Sequence, residues 1–304
     1  MVREHWHFTA PPFDGSLEPA SFYAGLPQEE ALARLEWLVD ERQRVGLVVA
    51  AEGCGKSHLC SMAARRLAGL GAEVALLSLG GLAEGDWLEM LLERLPLDRV
   101  SRTEPLRPWQ KLENRLRENR LMERATAILF DDLDRAPPDA IAGVVRLASG
   151  VESLFARTVV IATASPEGWT RLPAALRQRA AVRIELPAWD EEMVAAFLDR
   201  AIVRVGGAAG LFSAEAAATL ARFSAGVPRL VGQLAQWSLA AAAGDGLPHV
   251  DAGTVERAWR ELAPQWEDPA GSNTHSGQQG DSHGPGEQPE TGQPQVRVVR
   301  RLWG

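Results

Sequence analysis

Hydrophobic positions run in two alternating rhythms as far as Pro187 and in a single rhythm beyond it. Short uninterrupted apolar runs, the pattern of strands buried on both faces, occur at Leu47–Ala51, Glu73–Leu79, Thr126–Asp131, Arg157–Ser165 and Ala181–Leu186. Between them apolar residues recur three and four apart, which predicts amphipathic helices. These are Pro27–Asp40, with Leu32, Leu35, Leu38 and Val39 on one face, and a helix through Leu59, Met62, Ala63 and Leu67. Asp86–Leu95, Pro108–Arg124 (Leu112, Leu116 and Leu121 inward), Pro137–Ala148 and Leu172–Arg179 follow. Pro27 sits where a first helical residue needs no N–H donor, and acids fill the first turn after it. Strands and helices alternating at this length predict an α/β fold, a parallel sheet covered by helices over residues 27–187.

Beyond Pro187 only the helical rhythm remains. Asp190-Glu191-Glu192 opens a helix reaching Val205, Ser213 caps a second, and Gly226-Val-Pro228-Arg229 leads a third to Ala243. Asp251 or Thr254 starts a fourth that ends near Leu262. Residues 188–263 therefore read as a small all-helical unit. Residues 1–26, with Trp6, Phe8, Pro12-Phe13 and Phe22-Tyr23, read as an irregular aromatic and proline-rich arm laid over a folded surface. Residues 264–295 turn to Gly, Gln, Pro, Ser and His, the composition of a disordered linker. The last stretch, 296–304, is β-branched, basic and ends in an aromatic, which suggests a peptide that docks on a protein partner.

Composition narrows this picture without changing it. With 46% hydrophobic and 24% charged residues the chain is of ordinary globular type. No run of about 18 apolar residues is present, so no membrane span is expected. The N-terminus has no signal-peptide core, and the two cysteines, Cys54 and Cys60, exclude a disulfide framework, so the expected location is cytoplasmic. A formal net charge of −8 disfavours broad binding to DNA while leaving room for a local basic patch.

Two stretches carry chemistry. The first strand breaks into Glu52-Gly53-Cys54-Gly55-Lys56-Ser57-His58 before an amphipathic helix, the strand, glycine loop and helix of a phosphate-binding P-loop. Glycines let successive backbone N–H groups turn toward phosphate oxygens, and the helix N-terminus adds its partial positive charge. Lys56 would reach the β- and γ-phosphates of ATP and the Ser57 hydroxyl would ligate Mg²⁺. Ala50 replaces the first glycine of the usual motif. The second stretch is Thr126–Asp134, apolar residues ending in Asp131-Asp132, a Walker-B pattern that delivers acids to the carboxyl edge of a parallel sheet. Asp131 would hold Mg²⁺ through water, and Asp132 stands where a glutamate usually polarises the attacking water.

Together the P-loop, the Walker-B strand, a fourth strand with a polar end and a helical unit containing Gly-Val-Pro-Arg resemble the AAA+ ATPases. Pro12-Phe13, Phe22-Tyr23, the helix from Pro27 and Leu176–Arg179 resemble the ExeA/GspA-type ATPases of general secretion, relatives of the TniB-type transposition ATPases. The resemblance spans residues 8–262. It implies a homo-oligomeric ATPase in which Thr163 takes the sensor-1 position near the γ-phosphate and Arg229 the sensor-2 position in the lid. It also implies that Arg179, with Arg177 as its rival, reaches a neighbouring subunit's nucleotide. Three departures stand out: Ala50, Thr163 in place of an amide, and Asp132 in place of glutamate. The shorter Asp132 sets its carboxylate about 1.5 Å back, and a displacement near 1 Å costs about 100-fold in rate. A slow hydrolase, a nucleotide-gated switch docking a partner, and a transposition or DNA-loading ATPase are the readings that follow.

Overall fold

The computed structural model describes residues 2–97, 106–150 and 155–262. Its centre is a five-stranded parallel sheet in the order β2-β3-β4-β1-β5. The strands are β1 (Val45–Val49), β2 (Glu73–Ser78), β3 (Thr126–Asp131), β4 (Thr158–Ala164) and β5 (Val182–Glu185). Every residue of β1, β3 and β4 is buried, as the uninterrupted apolar runs require. One face carries α2 (Leu26–Asp40) and α3 (Lys56–Gly69), whose Leu32, Leu35, Leu38, Leu59 and Leu67 lose all contact with water. Each such leucine contributes roughly 1.5–3 kcal/mol of burial free energy. The other face carries α4 (Asp86–Arg94), α5 (Pro108–Leu121) and α6 (Pro138–Ser149), packed through Trp87, Leu91, Leu112, Leu116, Val144 and Leu147.

The predicted helix Leu172–Arg179 is found as α8 (Ala174–Arg179), two residues shorter at its start, and a further short helix, α7 (Pro166–Arg171), precedes it unannounced. Pro173 forces Leu172 into an extended conformation (ψ 145°) and ends the first of them. Ser165, expected as the last residue of a strand, instead caps α7: its Oγ accepts from the Gly168 N–H at 2.9 Å. The first strand is displaced two residues toward the N-terminus, because the carbonyls of Ala50 and Ala51 are engaged by Lys56 in the loop that follows.

The helical unit consists of α9 (Glu191–Arg204), α10 (Ala214–Ser224), α11 (Pro228–Gly244) and α12 (Ala252–Leu262). Its caps are those the sequence suggests: Asp190 accepts from Met193 N at 2.8 Å and Ser213 from Ala216 N at 3.1 Å. For α12 the structure decides between the two candidates, since Asp251 Oδ1 accepts from both Thr254 N and Thr254 Oγ1 at 2.8 Å. The arm is less irregular than expected. It begins with a helical turn, α1 (Val2–His5), and includes a short 3-10 turn, Pro19–Ser21. Trp6 and Phe8 enter the core of the helical unit, where Trp6 Nε1 donates to Leu239 O at 3.2 Å. Arm, sheet and helical unit fall within one compact unit, Met1–Ala263. The linker 264–295 and the terminal peptide 296–304 lie outside the described residues.

Candidate functional site

β1 brings the chain to the carboxyl edge of the sheet, beside β4, where strand order reverses and α/β folds form their crevice. There the chain turns through Ala50–Gly55 and enters α3 at Lys56. Gly53 and Gly55 adopt left-handed φ values of 79° and 90°. A Cβ on Gly53 would stand 2.8 Å from Val227 Cγ1 and 3.1 Å from Arg229 Cβ, so this glycine also admits the helical unit. The Arg229 N–H donates to Gly53 O at 3.2 Å across that contact. No side chain among the described residues caps the N-terminus of α3, which leaves the helix's partial positive charge available to an anion. Lys56 is 7% exposed, its Nζ donating to Ala50 O at 3.0 Å and Ala51 O at 3.3 Å. An uncapped helix end, left-handed glycines and a buried ammonium group form a donor set that fits phosphate, with Ser57 half-exposed one residue on.

Asp131 ends β3 and is buried, and Thr163, wholly buried, sits beside it on β4. The Thr163 hydroxyl donates to Asp131 Oδ1 at 2.6 Å and accepts from Asp132 N at 2.8 Å. One hydroxyl thus fixes both the Asp131 carboxylate and the turn of Asp132, whose φ of 55° is left-handed. Such a backbone costs on the order of 1–3 kcal/mol and persists only where neighbours hold it. Burial, and then the Asp131 charge, raise the Asp132 carboxyl above its ordinary value, with Lys56 and Arg229 opposing. Asp134 anchors the next turn by accepting from Ser165 Oγ at 2.6 Å and Ser165 N at 3.1 Å. Cys54 and Cys60 have thiols raised by burial, which keeps them protonated at neutral pH.

Between this edge and the helical unit lies a cavity of about 440 Å³, of the size that small-molecule sites occupy. The loop Glu52–His58, Asp132 and Arg135 form its floor, and Trp189, Phe197, Pro228 and Arg229 one wall. The arm completes the lining through Pro12–Leu17 and Ser21–Tyr23, with Phe13 and Tyr23 packed on Phe197 and Tyr23 also on Trp189. It is fastened there by His58 Nε2, 3.1 Å from Glu18 O, and by an edge-on Phe22–His58 contact with centroids 5.0 Å apart. Burial depresses the His58 imidazole below its ordinary value, favouring the neutral ring. Gly226 seats the far wall: a Cβ there would lie 2.0 Å from Trp189 O, and Trp189 N donates to Gly226 O at 2.8 Å.

Of the residues singled out in the sequence, Glu52, Gly53, Cys54, Gly55, Lys56, Ser57, His58, Asp132 and Arg229 line this cavity. Asp131 and Thr163 lie directly behind Asp132. Arg179 and Arg177 are not among its lining residues. Arg179 is exposed, its Nε donating to Ser149 Oγ at 3.1 Å, and Arg177 stands 5.8 Å from the Trp169 ring. Sequence reasoning passed over Arg135, which pairs with Glu52 across the floor, and the arm as a cavity wall. The clustering of Pro12-Phe13 and Phe22-Tyr23 just ahead of the P-loop was the available signal for the arm. No periodicity marks Arg135.

Solved structures share this architecture. Cdc6p from Pyrobaculum aerophilum superposes with a TM-score of 0.63 at 18% identity, covering 82% of this chain and 71% of that one. The fold is that of the AAA+ ATPases. Within it, the RuvB branch-migration motor of Thermotoga maritima matches with a TM-score of 0.55 at 17% identity, covering 81% of this chain and 73% of its own. The Aeropyrum pernix ORC1 protein, solved in complex with DNA, matches with 0.60 at 17% identity, over 81% and 68%. In sequence the chain resembles general secretion pathway protein A of Aeromonas hydrophila, 24% identical over 270 residues. That match covers 86% of this chain but 49% of the relative, so the chain spans about half the relative's length. No protein-family model matches. Among the described residues, no helix of this AAA+ fold is long and apolar enough to cross a membrane.

Proposed function

We propose that the chain binds ATP with Mg²⁺ in the cavity between sheet edge and helical unit and hydrolyses it to ADP and phosphate. The observation that carries this reading is the convergence of Lys56, the uncapped α3 N-terminus and the Asp131–Thr163–Asp132 cluster on one 440 Å³ cavity. Lys56 and the loop N–H groups hold the β- and γ-phosphates, and Ser57 with Asp131 holds the metal. Mg²⁺ held there by Ser57 and Asp131 would supply neutralisation of phosphate charge. Asp132 orients water and accepts its proton, while Thr163 keeps both aspartates in place. Arg229 joins the helical unit to nucleotide state. Arg179, or Arg177, serves a neighbouring copy's site, so turnover requires assembly. The setting is cytoplasmic, and residues 296–304 dock a protein partner.

A second reading, a nucleotide-dependent switch with little hydrolysis, is favoured by the short Asp132 side chain and by the engagement of the Thr163 hydroxyl with the aspartates. ATP turnover measured across a protein dilution series, with Lys56→Ala and Asp132→Asn beside the wild type, separates the two. The hydrolase reading expects phosphate release that rises per subunit with protein concentration and is lost in both variants. Binding without release, abolished in Lys56→Ala alone, would replace it with the switch. Release that persists in Lys56→Ala would overturn the assignment of this site.

A further inference from the structure

Glu52 lies in the P-loop immediately before Gly53, and Arg135 in the 3-10 turn Leu133–Arg135 that directly follows Asp131-Asp132. Their side chains form an ion pair, and both line the cavity. The pair therefore links the loop that cradles phosphate to the turn that carries the aspartates, across the space between them. Fold stability does not account for it. Arg135 is 55% exposed and Glu52 24%, and ion pairs in such contact with water contribute little. Nor does the pair lie out of the way, because both partners face the cavity in which the phosphates would sit.

We infer that Arg135 is a phosphate-binding residue held in reserve by Glu52, and that the terminal phosphate of a nucleoside triphosphate takes the guanidinium from Glu52 on binding. The inference rests on the nucleotide reading above. Guanidinium geometry suits the exchange: it presents five N–H donors in a planar fork that pairs equally well with carboxylate and phosphate. Its root is fixed, since Arg135 N donates to Asp132 O at 3.0 Å, so the side chain can swing while its Cα stays in register with the aspartates. The exchange makes Arg135 a discriminator between triphosphate and diphosphate. A diphosphate has no terminal group to claim the guanidinium and leaves the pair with Glu52 intact.

Titration of fluorescent ATP and ADP analogues with Mg²⁺ into the wild type, Arg135→Gln, Glu52→Gln and Lys56→Ala tests this. Arg135→Gln is expected to weaken triphosphate binding about tenfold, the size of one charge-assisted hydrogen bond, with a much smaller change for diphosphate. Glu52→Gln, which removes the competitor, is expected to tighten triphosphate binding several-fold. Equal losses for both nucleotides in Arg135→Gln, or triphosphate affinity unchanged in both variants, would overturn the exchange. Wild type that binds neither nucleotide, or binds both as Lys56→Ala does, would overturn the nucleotide reading itself and this inference with it. Both sites are at the surface, and unchanged thermal midpoints verify that the variants are folded.

Discussion

The two sides of the cavity are built to different standards. On the sheet side Lys56, Asp131 and Thr163 are buried and hydrogen-bonded at 2.6–3.3 Å, and one hydroxyl holds two aspartates. On the other side, arm and helical unit reach the loop and α3 through contacts that include the Arg229–Gly53 backbone bond, the His58–Glu18 and Ser61–Leu17 contacts and aromatic packing, and Leu17 is half exposed. A buried hydrogen-bonded cluster cannot shift without leaving polar groups unpaired, whereas aromatic surfaces resting on glycine can slide or part. Under the proposed function, this difference predicts that substitutions at the sheet edge act on chemistry and those at the arm contact act on nucleotide release.

Substitutions on the two sides should separate in size and kind. The largest effect is expected from Lys56→Ala, which removes the buried charge beneath the phosphates and should lower turnover about 10²–10³-fold. Next comes Thr163→Val, similar in shape but without the hydroxyl. It leaves Asp131 Oδ1 and Asp132 N without this partner in a wholly buried position, and chemical denaturation should show a loss of about 1–3 kcal/mol. A rigid-side residue that proved silent in both stability and turnover would erase the contrast. Asp132 should give a pH signature. Its folded-state carboxyl titrates above the ordinary 3.8, so its stabilising contribution is present below pH 3.8 and lost as pH rises through the raised value. As a base it needs the charged form, so wild-type turnover should fall on the acid side, while Asp132→Asn should show no turnover at any pH.

The smallest effect is expected where the arm meets α3. The His58 ring is depressed below 6.5, so the contribution of the neutral ring is present above pH 6.5 and lost as pH falls through the depressed value. His58→Phe should remove that acid-side loss of stability and release nucleotide faster, with the rate of turnover on bound nucleotide little changed. A collapse of turnover in this variant would show that the arm belongs to the chemistry.

What could be read from the sequence follows the same division. Buried strands announce themselves through uninterrupted apolar runs, and the phosphate loop through glycine, lysine and serine at fixed spacing, because packing and ligand geometry leave few alternatives at those positions. The helix caps Asp190 and Ser213 were legible for the same reason. The helix Ala174–Arg179 was legible to within two residues, whereas the short helix Pro166–Arg171 ahead of Pro173 carries no apolar rhythm to announce it. The course of the arm was not legible: Trp6 and Phe8 find partners more than 190 residues away, such as Leu239, and no local pattern encodes such a pairing. Arg135 escaped notice because a surface arginine has no period, and its meaning comes only from facing Glu52.

The central claim, that the sheet edge with its P-loop forms a nucleotide site, is tested most directly by calorimetric titration of ATP with Mg²⁺ into the wild type and Lys56→Ala. Saturable binding at one site per chain is expected, weakened about tenfold to hundredfold in Lys56→Ala. Absence of binding to the wild type, or identical isotherms for the two proteins, would contradict it.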